Sequence, residues 1–198
     1  HWLSYSQGSE FSEKEWENLK VATVPNFQNK LFVGIKYGVD GKHVAMSIAT
    51  KVDEKIFVES IDCQSVRNGN TWIISFLKEA DIEKVVIDGS GSQQILSDEI
   101  KDYGIKLKPV LPKVSDVVVA NNMFEQAVTS SKNICHNDQP SLKQIVTNCK
   151  RRAIGTNGGF GFKAMMEEHE IALLDSVILA HWACATYKGV KKKQKISC

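Results

Sequence analysis

The run VVIDGSGSQQILSDEI, residues 85–100, decides the fold class. Val85, Val86 and Ile87 make a short, wholly apolar strand of the kind buried on both faces of a sheet, and it ends on an acid, Asp88. Upstream, NTWIISFLKEAD (residues 70–81) sets Trp72, Ile73, Phe76, Leu77 and Ala80 at helical spacing, and downstream a second helix is expected over residues 93–103. A helix that crosses over to a buried strand and is followed by another helix is the unit of an α/β sheet.

Three strands are expected earlier in the chain, over residues 31–36, 43–49 and 55–61. Gly38 and Gly41 separate the first two and KVDE the last two, so together they make an antiparallel meander. Later come a strand over residues 105–110, a helix over 114–129 with Val118, Met123, Phe124 and Ala127 inward, and a helix over 141–149. RRAIGTNGGFGFK (residues 151–163) reads as a projecting β-hairpin, because Asn157-Gly158 tolerates the positive φ angles of a tight turn. IALLDSVILAHWACATY (residues 171–187) is the final helix.

The first thirty residues are polar, begin without methionine and contain one short helix capped by Ser12. They are expected to be a connecting arm of a longer polypeptide, with residues 31–187 as the main domain and 188–198 as a basic tail.

Composition bounds the rest. With 198 residues, 42% apolar and 24% charged, one soluble domain with a full core is expected. No run approaches the roughly 18 apolar residues of a membrane span and no signal peptide is written, so no membrane partner and an intracellular location are expected. Five cysteines with no CxxC pair point to reduced thiols. The net charge of +2 does not by itself argue nucleic-acid binding, but CKRR (149–152) and KGVKKKQK (188–195) are local basic clusters. The tail cluster reads equally as a solvated end, whereas Arg151 and Arg152 adjoin the hairpin and are candidates to meet a nucleic-acid backbone.

Asp88 stands at the carboxyl edge of its strand, where open α/β sheets place ligands. It could instead start a turn and cap the next helix, and Gly89 and Gly91 could cradle a phosphate, although no GxxxxGK[ST] motif occurs. Asp175 shares a helical face with Ile171, Leu174, Ile178 and Trp182, which turns it toward the core. A lone buried carboxylate costs several kcal/mol unless paired, protonated or metal-bound, so either a salt bridge or a metal must account for it. Two such acids suit a hard cation, Mg²⁺ or Mn²⁺, and two ions about 4 Å apart can activate water for phosphodiester hydrolysis. That mechanism normally needs a third carboxylate.

VVIDGSGSQQILSDEI, NNMFEQAVTSSKNICHNDQPSL, CKRRAIGTNGGFGFK and IALLDSVILAHWA, in this order, resemble the C-terminal nuclease domain of the tailed-bacteriophage terminase large subunit. The resemblance covers residues 31–187. It implies an RNase H-like mixed sheet, the first three strands antiparallel and the later ones parallel, with flanking helices and the extra hairpin. It also implies a metal-dependent endonuclease that cuts concatemeric double-stranded DNA, with two Mg²⁺ or Mn²⁺ ions as cofactors. An upstream ATPase domain, the portal protein and the small terminase subunit follow as partners, in the host bacterial cytoplasm and transiently at the procapsid portal. In that family the first strand carries an aspartate, the central strand ends in a second acid and the last helix bears a third. Carried over, Asp88 matches the second and Asp175 the third, while the first falls on Lys36.

Three readings of Lys36 stay open. It replaces the first acid and cripples the metal site; or Asp40 or Glu59 supplies the missing ligand; or Lys36 is a solvent-facing strand residue. Lys163 on the hairpin is a candidate for contacting a phosphate or equally a surface lysine. His43, His136 and His181 are possible bases or ligands but are as easily structural. Another RNase H-like enzyme of resolvase or transposase type, or a non-catalytic DNA-binding and docking module, remain alternative functions.

Overall fold

The computed structural model describes residues 8–189. A five-stranded mixed sheet is built from β1 (Leu31–Tyr37), β2 (His43–Val52), β3 (Lys55–Ser65), β4 (Ile82–Asp88) and β5 (Ile134–His136), in the order β4-β1-β2-β3-β5. β1, β2 and β3 pair antiparallel, while β4 joins β1 and β5 joins β3 in parallel. The expected meander is therefore present, and the apolar strand ending at Asp88 is buried as expected, but it is the edge strand of the sheet beside β1 and not a central one, its outer side covered, among the described residues, only by the single bridge to Val110. The helices are α1 (Glu13–Glu17), α2 (Thr71–Glu79), α3 (Ser92–Asp102), α4 (Val114–Thr129), α5 (Pro140–Val146) and α6 (Ile171–Ala185). The expected hairpin forms a separate two-stranded sheet, β6 (Cys149–Ile154) with β7 (Gly159–Ala164).

Strand alternation divides the core in two. Val33, Ile35 and Tyr37 of β1 and Val85 and Ile87 of β4 face α2 and α3, whereas Phe32 and Val86 join the larger cluster around α4, α5 and α6. By the same alternation, Gly34, Lys36 and Asp88 fall on the α6 face. α6 lies against the backbone of β1: a methyl group on Gly34 would sit 2.2 Å from the Ser176 carbonyl oxygen and 2.5 Å from the Ala180 nitrogen. A buried bond of 2.6 Å between the Ser47 and Ser176 hydroxyls ties α6 to β2, and Ser176 also donates to the Leu173 carbonyl at 2.7 Å.

Two further expectations need correction, and one strand was not foreseen. Residues 105–110 do not form a strand; only Val110 bridges to Val86, since the segment carries Lys106, Lys108 and Pro109 and proline cannot complete a ladder. The helix expected over 141–149 ends at Val146, where the Thr147 hydroxyl and Asn148 amide bond back to the Lys143 and Gln144 carbonyls. Cys149 instead opens β6. β5 was not legible at all, being three residues long.

Part of the first thirty residues packs into this domain. Phe11 and Trp16 are fully buried in the α4–α6 core, Phe11 meeting Phe124 edge-on with ring centres 5.6 Å apart. The Ser9 hydroxyl accepts from the Cys149 amide at 3.0 Å, and the Glu10 amide donates to the Cys149 carbonyl at 2.8 Å. Residues 1–7 and the tail from residue 190, with most of its basic cluster, lie outside the described residues. No described helix is long and apolar enough to cross a membrane.

Candidate functional site

β1 and β4 run parallel with Lys36 in register with Asp88, so both side chains leave the sheet at its carboxyl edge on the α6 side. The Lys36 ammonium lies 2.6 Å from Asp88 Oδ2, with the two side chains only 12% and 20% exposed. A buried, directly paired lysine is not a solvent-facing strand residue. Asp88 does not cap α3 either: Gly91 holds the N-cap position there, with no side-chain cap. Gly89 follows Asp88 at φ 143°, with Tyr37 Cβ 2.5 Å from where its own Cβ would be, so only glycine fits where the chain turns away from the acid.

α6 brings Asp175 over this pair. Burial raises its carboxyl to about 6; Lys36 and Arg152 pull it down less strongly, and Asp88 and Glu170 push it up. Lys36, Asp88 and Asp175, named apart in the sequence, thus meet in one place. With Asn121, Arg152 and others they line a small, partly open cavity of about 20 Å³. Asn121 is 3% exposed and donates to the Phe160 carbonyl at 3.1 Å, fixing the hairpin over the site. Nothing in the sequence marked Asn121, because an asparagine in a helix reads as surface.

A divalent cation does not fit between these residues as they stand. The Lys36 ammonium is bonded to Asp88 Oδ2, a carboxylate oxygen that a cation would need. The donor set is two carboxylates and a cation, and the cation has the sign of the metal it would face.

The other candidates are distributed as follows. Arg151 points to the opposite face of β6 from Arg152 and is paired with Glu10 at 3.0 Å and Glu125 at 2.6 Å, its guanidinium 3.9 Å from the centre of the Phe160 ring. Arg152 donates to the Phe162 carbonyl at 3.3 Å beside the cavity, and Lys163 is exposed on β7. Glu59 accepts from the Asn137 amide at 3.1 Å, at the β3–β5 side of the sheet. Asp40 is grouped not with Asp88 and Asp175 but with His43 and Glu170. His136 is buried, stacked on Trp16 with ring centres 4.0 Å apart, accepting from the Asp138 amide at 2.9 Å with its other ring nitrogen 2.7 Å from the Trp16 carbonyl. Burial lowers its pKa, and it serves the core. Burial holds His181 down to about 4, again as a neutral core residue.

These buried groups set opposed pH dependences. Asp175 rises from 3.8 to about 6, so between those values the folded chain keeps a proton the unfolded chain has lost, and stability falls as pH rises through the window. His181 falls from 6.5 to about 4, so its contribution is lost as pH drops through nearly the same window. The two largely cancel. Asp175→Asn should therefore raise stability at pH 8 by about 3 kcal/mol, add nothing near pH 4, and leave a chain that weakens on acidification. Urea unfolding of both proteins at the two pH values checks this, and an equal difference at both would contradict it.

The fold has solved counterparts. The chain is similar to the bacteriophage HK97 large terminase, with a TM-score of 0.65 at 13% identity over 87% of this chain and 43% of that one. It is similar to the large terminase nuclease of thermophilic phage G20c with bound magnesium, at TM-score 0.62 and 14% identity, covering 91% of this chain and 98% of that one. The large terminase nuclease domain of Thermus phage P74-26 gives 0.53 and 11%, with 86% and 94% covered. No family profile and no curated protein matches the sequence. The chain spans 43% of the length of the HK97 terminase. At these identities the likeness establishes the fold alone, the mixed sheet with flanking helices that these phage terminase structures share.

Proposed function

We propose that this chain is the nuclease-type domain of a DNA-packaging terminase large subunit whose cleavage centre is held shut by Lys36. The observation that carries the reading is the 2.6 Å ion pair between Lys36 and Asp88, at the edge where the acids of the fold converge. Lys36 neutralises Asp88 and lies beside Asp175, so the acids present a cation with less negative charge than two free carboxylates would. The domain acts on the backbone of double-stranded DNA with little sequence preference, because catalysis at a metal site reads phosphates and not bases, and Arg152 and Lys163 on the hairpin are exposed cations suited to meet phosphates. Arg151 belongs to this surface more weakly, since Glu10 and Glu125 already balance it. Mg²⁺ or Mn²⁺ at Asp88 and Asp175 is a property of the site once the lysine is gone. An upstream ATPase domain, the portal protein, the small terminase subunit and the host cytoplasm belong to the same reading.

The test is plasmid nicking with Mn²⁺ or Mg²⁺ by this chain beside Lys36→Asp. Little or no cleavage by the chain and a gain in the variant are expected. An inert Lys36→Asp together with a native activity abolished by Asp88→Ala would overturn the role given to Lys36.

A further inference from the structure

We infer that Asp40, His43 and Glu170 form a binding site for a divalent first-row transition cation of the Mn²⁺, Co²⁺ or Zn²⁺ class, on the rim between the β1–β2 turn and the start of α6. The inference stands apart from the nuclease reading, because none of the three residues lines the cavity that holds Lys36, Asp88 and Asp175.

One ligand atom from each residue lies within 4.8 Å of the other two. His43 Nδ1 is 2.9 Å from Glu170 Oε2, yet this ring nitrogen is enclosed and has no aligned hydrogen bond. Close approach without donor alignment is how two ligands of one ion meet: metal bonds of about 2.1 Å at right angles put neighbouring ligand atoms about 3 Å apart. An ordinary ion pair would turn the imidazole N–H toward the carboxylate.

The surrounding backbone holds the set in place. Asp40 Oδ1 accepts from the Lys42 amide at 2.9 Å, and Glu170 Oε1 accepts from the Ala172 amide at 3.3 Å as the cap of α6. Each carboxylate thus has one oxygen oriented by the fold and a second to offer, the outer support that metal ligands ordinarily have. Gly38 closes the turn by donating to the His43 carbonyl at 2.8 Å, and a methyl group there would meet Asp40 Oδ1 at 3.1 Å and Glu170 Oε1 at 3.4 Å. The missing side chain leaves room for two acids to converge. Imidazole with two carboxylates selects a borderline transition ion over Mg²⁺, which prefers oxygen alone. The His43 side chain is 42% exposed and Asp40 lies at the surface, so an ion can enter and water can complete its shell.

The test is a Co²⁺ titration of the untagged chain, followed by visible absorption and by the histidine ring resonances. One equivalent should bind, and the His43 signals should shift strongly while those of buried His136 do not. His43→Ala and Asp40→Asn should each weaken binding about tenfold or more, with circular dichroism showing both folded, whereas Asp88→Asn should leave it unchanged. No binding at millimolar Co²⁺ would overturn the proposal. So would binding that survives both rim variants, or binding lost in Asp88→Asn, which would place the ion at the sheet edge instead.

Discussion

Gly34→Ala should prevent this chain from folding stably. The added methyl would lie 2.2 Å from the Ser176 carbonyl oxygen and 2.5 Å from the Ala180 nitrogen. Both are backbone atoms of α6, so no side chain can rotate away and the helix itself must lift from β1. α6 carries a nearly unbroken set of buried residues, from Ala172 to Cys184. Overpacking a core costs about 1–3 kcal/mol when side chains can adjust. A backbone clash under a central helix belongs at or above the top of that range, a large share of the roughly 5–15 kcal/mol that holds a domain together. Thermal unfolding beside Gly8→Ala, where nothing lies within 4 Å, is the measurement. Unfolding temperatures within a few degrees of each other would mean that α6 does not ride on β1 as described.

Lys36→Asp is expected to change stability as strongly as it changes chemistry. The native pair is largely enclosed, and removing one partner of such a pair typically costs about 3–5 kcal/mol because the other charge is left uncompensated. Here the replacement adds a third acid beside Asp88 and Asp175. Without metal the variant should unfold well below the parent and gain most from acidification, since protonation relieves the repulsion. With Mn²⁺ the balance inverts: an ion that binds only the folded form stabilises it by about 2.7 kcal/mol at one hundred times its dissociation constant. The expected result is a variant destabilised in chelator and restored by millimolar Mn²⁺, beside a parent whose sheet-edge centre gains nothing. Because Mn²⁺ bound at the rim would lift both proteins, the comparison is best made in the His43→Ala background. A variant as stable as the parent in chelator would show that the ion pair carries little of the fold.

Much of this could be read from the residues. The apolar strand ending at Asp88, the meander, the hairpin and the face of the last helix that bears Asp175 all follow from local periodicity, and the structure has them. Residues 105–110 misled because alternating apolar and lysine residues imitate a strand, whereas the two prolines at 109 and 112 and the one bridge at Val110 leave them without a ladder. Phe11 and Trp16 were passed over because two aromatic residues in a polar stretch make no pattern, though both are fully buried. The Lys36–Asp88 contact rests on a parallel register between strands some fifty residues apart, which no local signal encodes. Glu170 was missed for a related reason: its partners, Asp40 and His43, lie far away in the chain and only the packing of α6 brings them together.

The anchoring of the first described residues has a mechanical side. Ser9 and Glu10 are bonded to Cys149 at the start of β6, and Glu10 also holds Arg151. Tension applied to the chain ahead of Ser9 would load the root of the β6–β7 hairpin before it reached the central sheet. Asn121 of α4 ties that hairpin beside the acids through the Phe160 carbonyl, so a pull from the amino-terminal side would be felt at the mouth of the site.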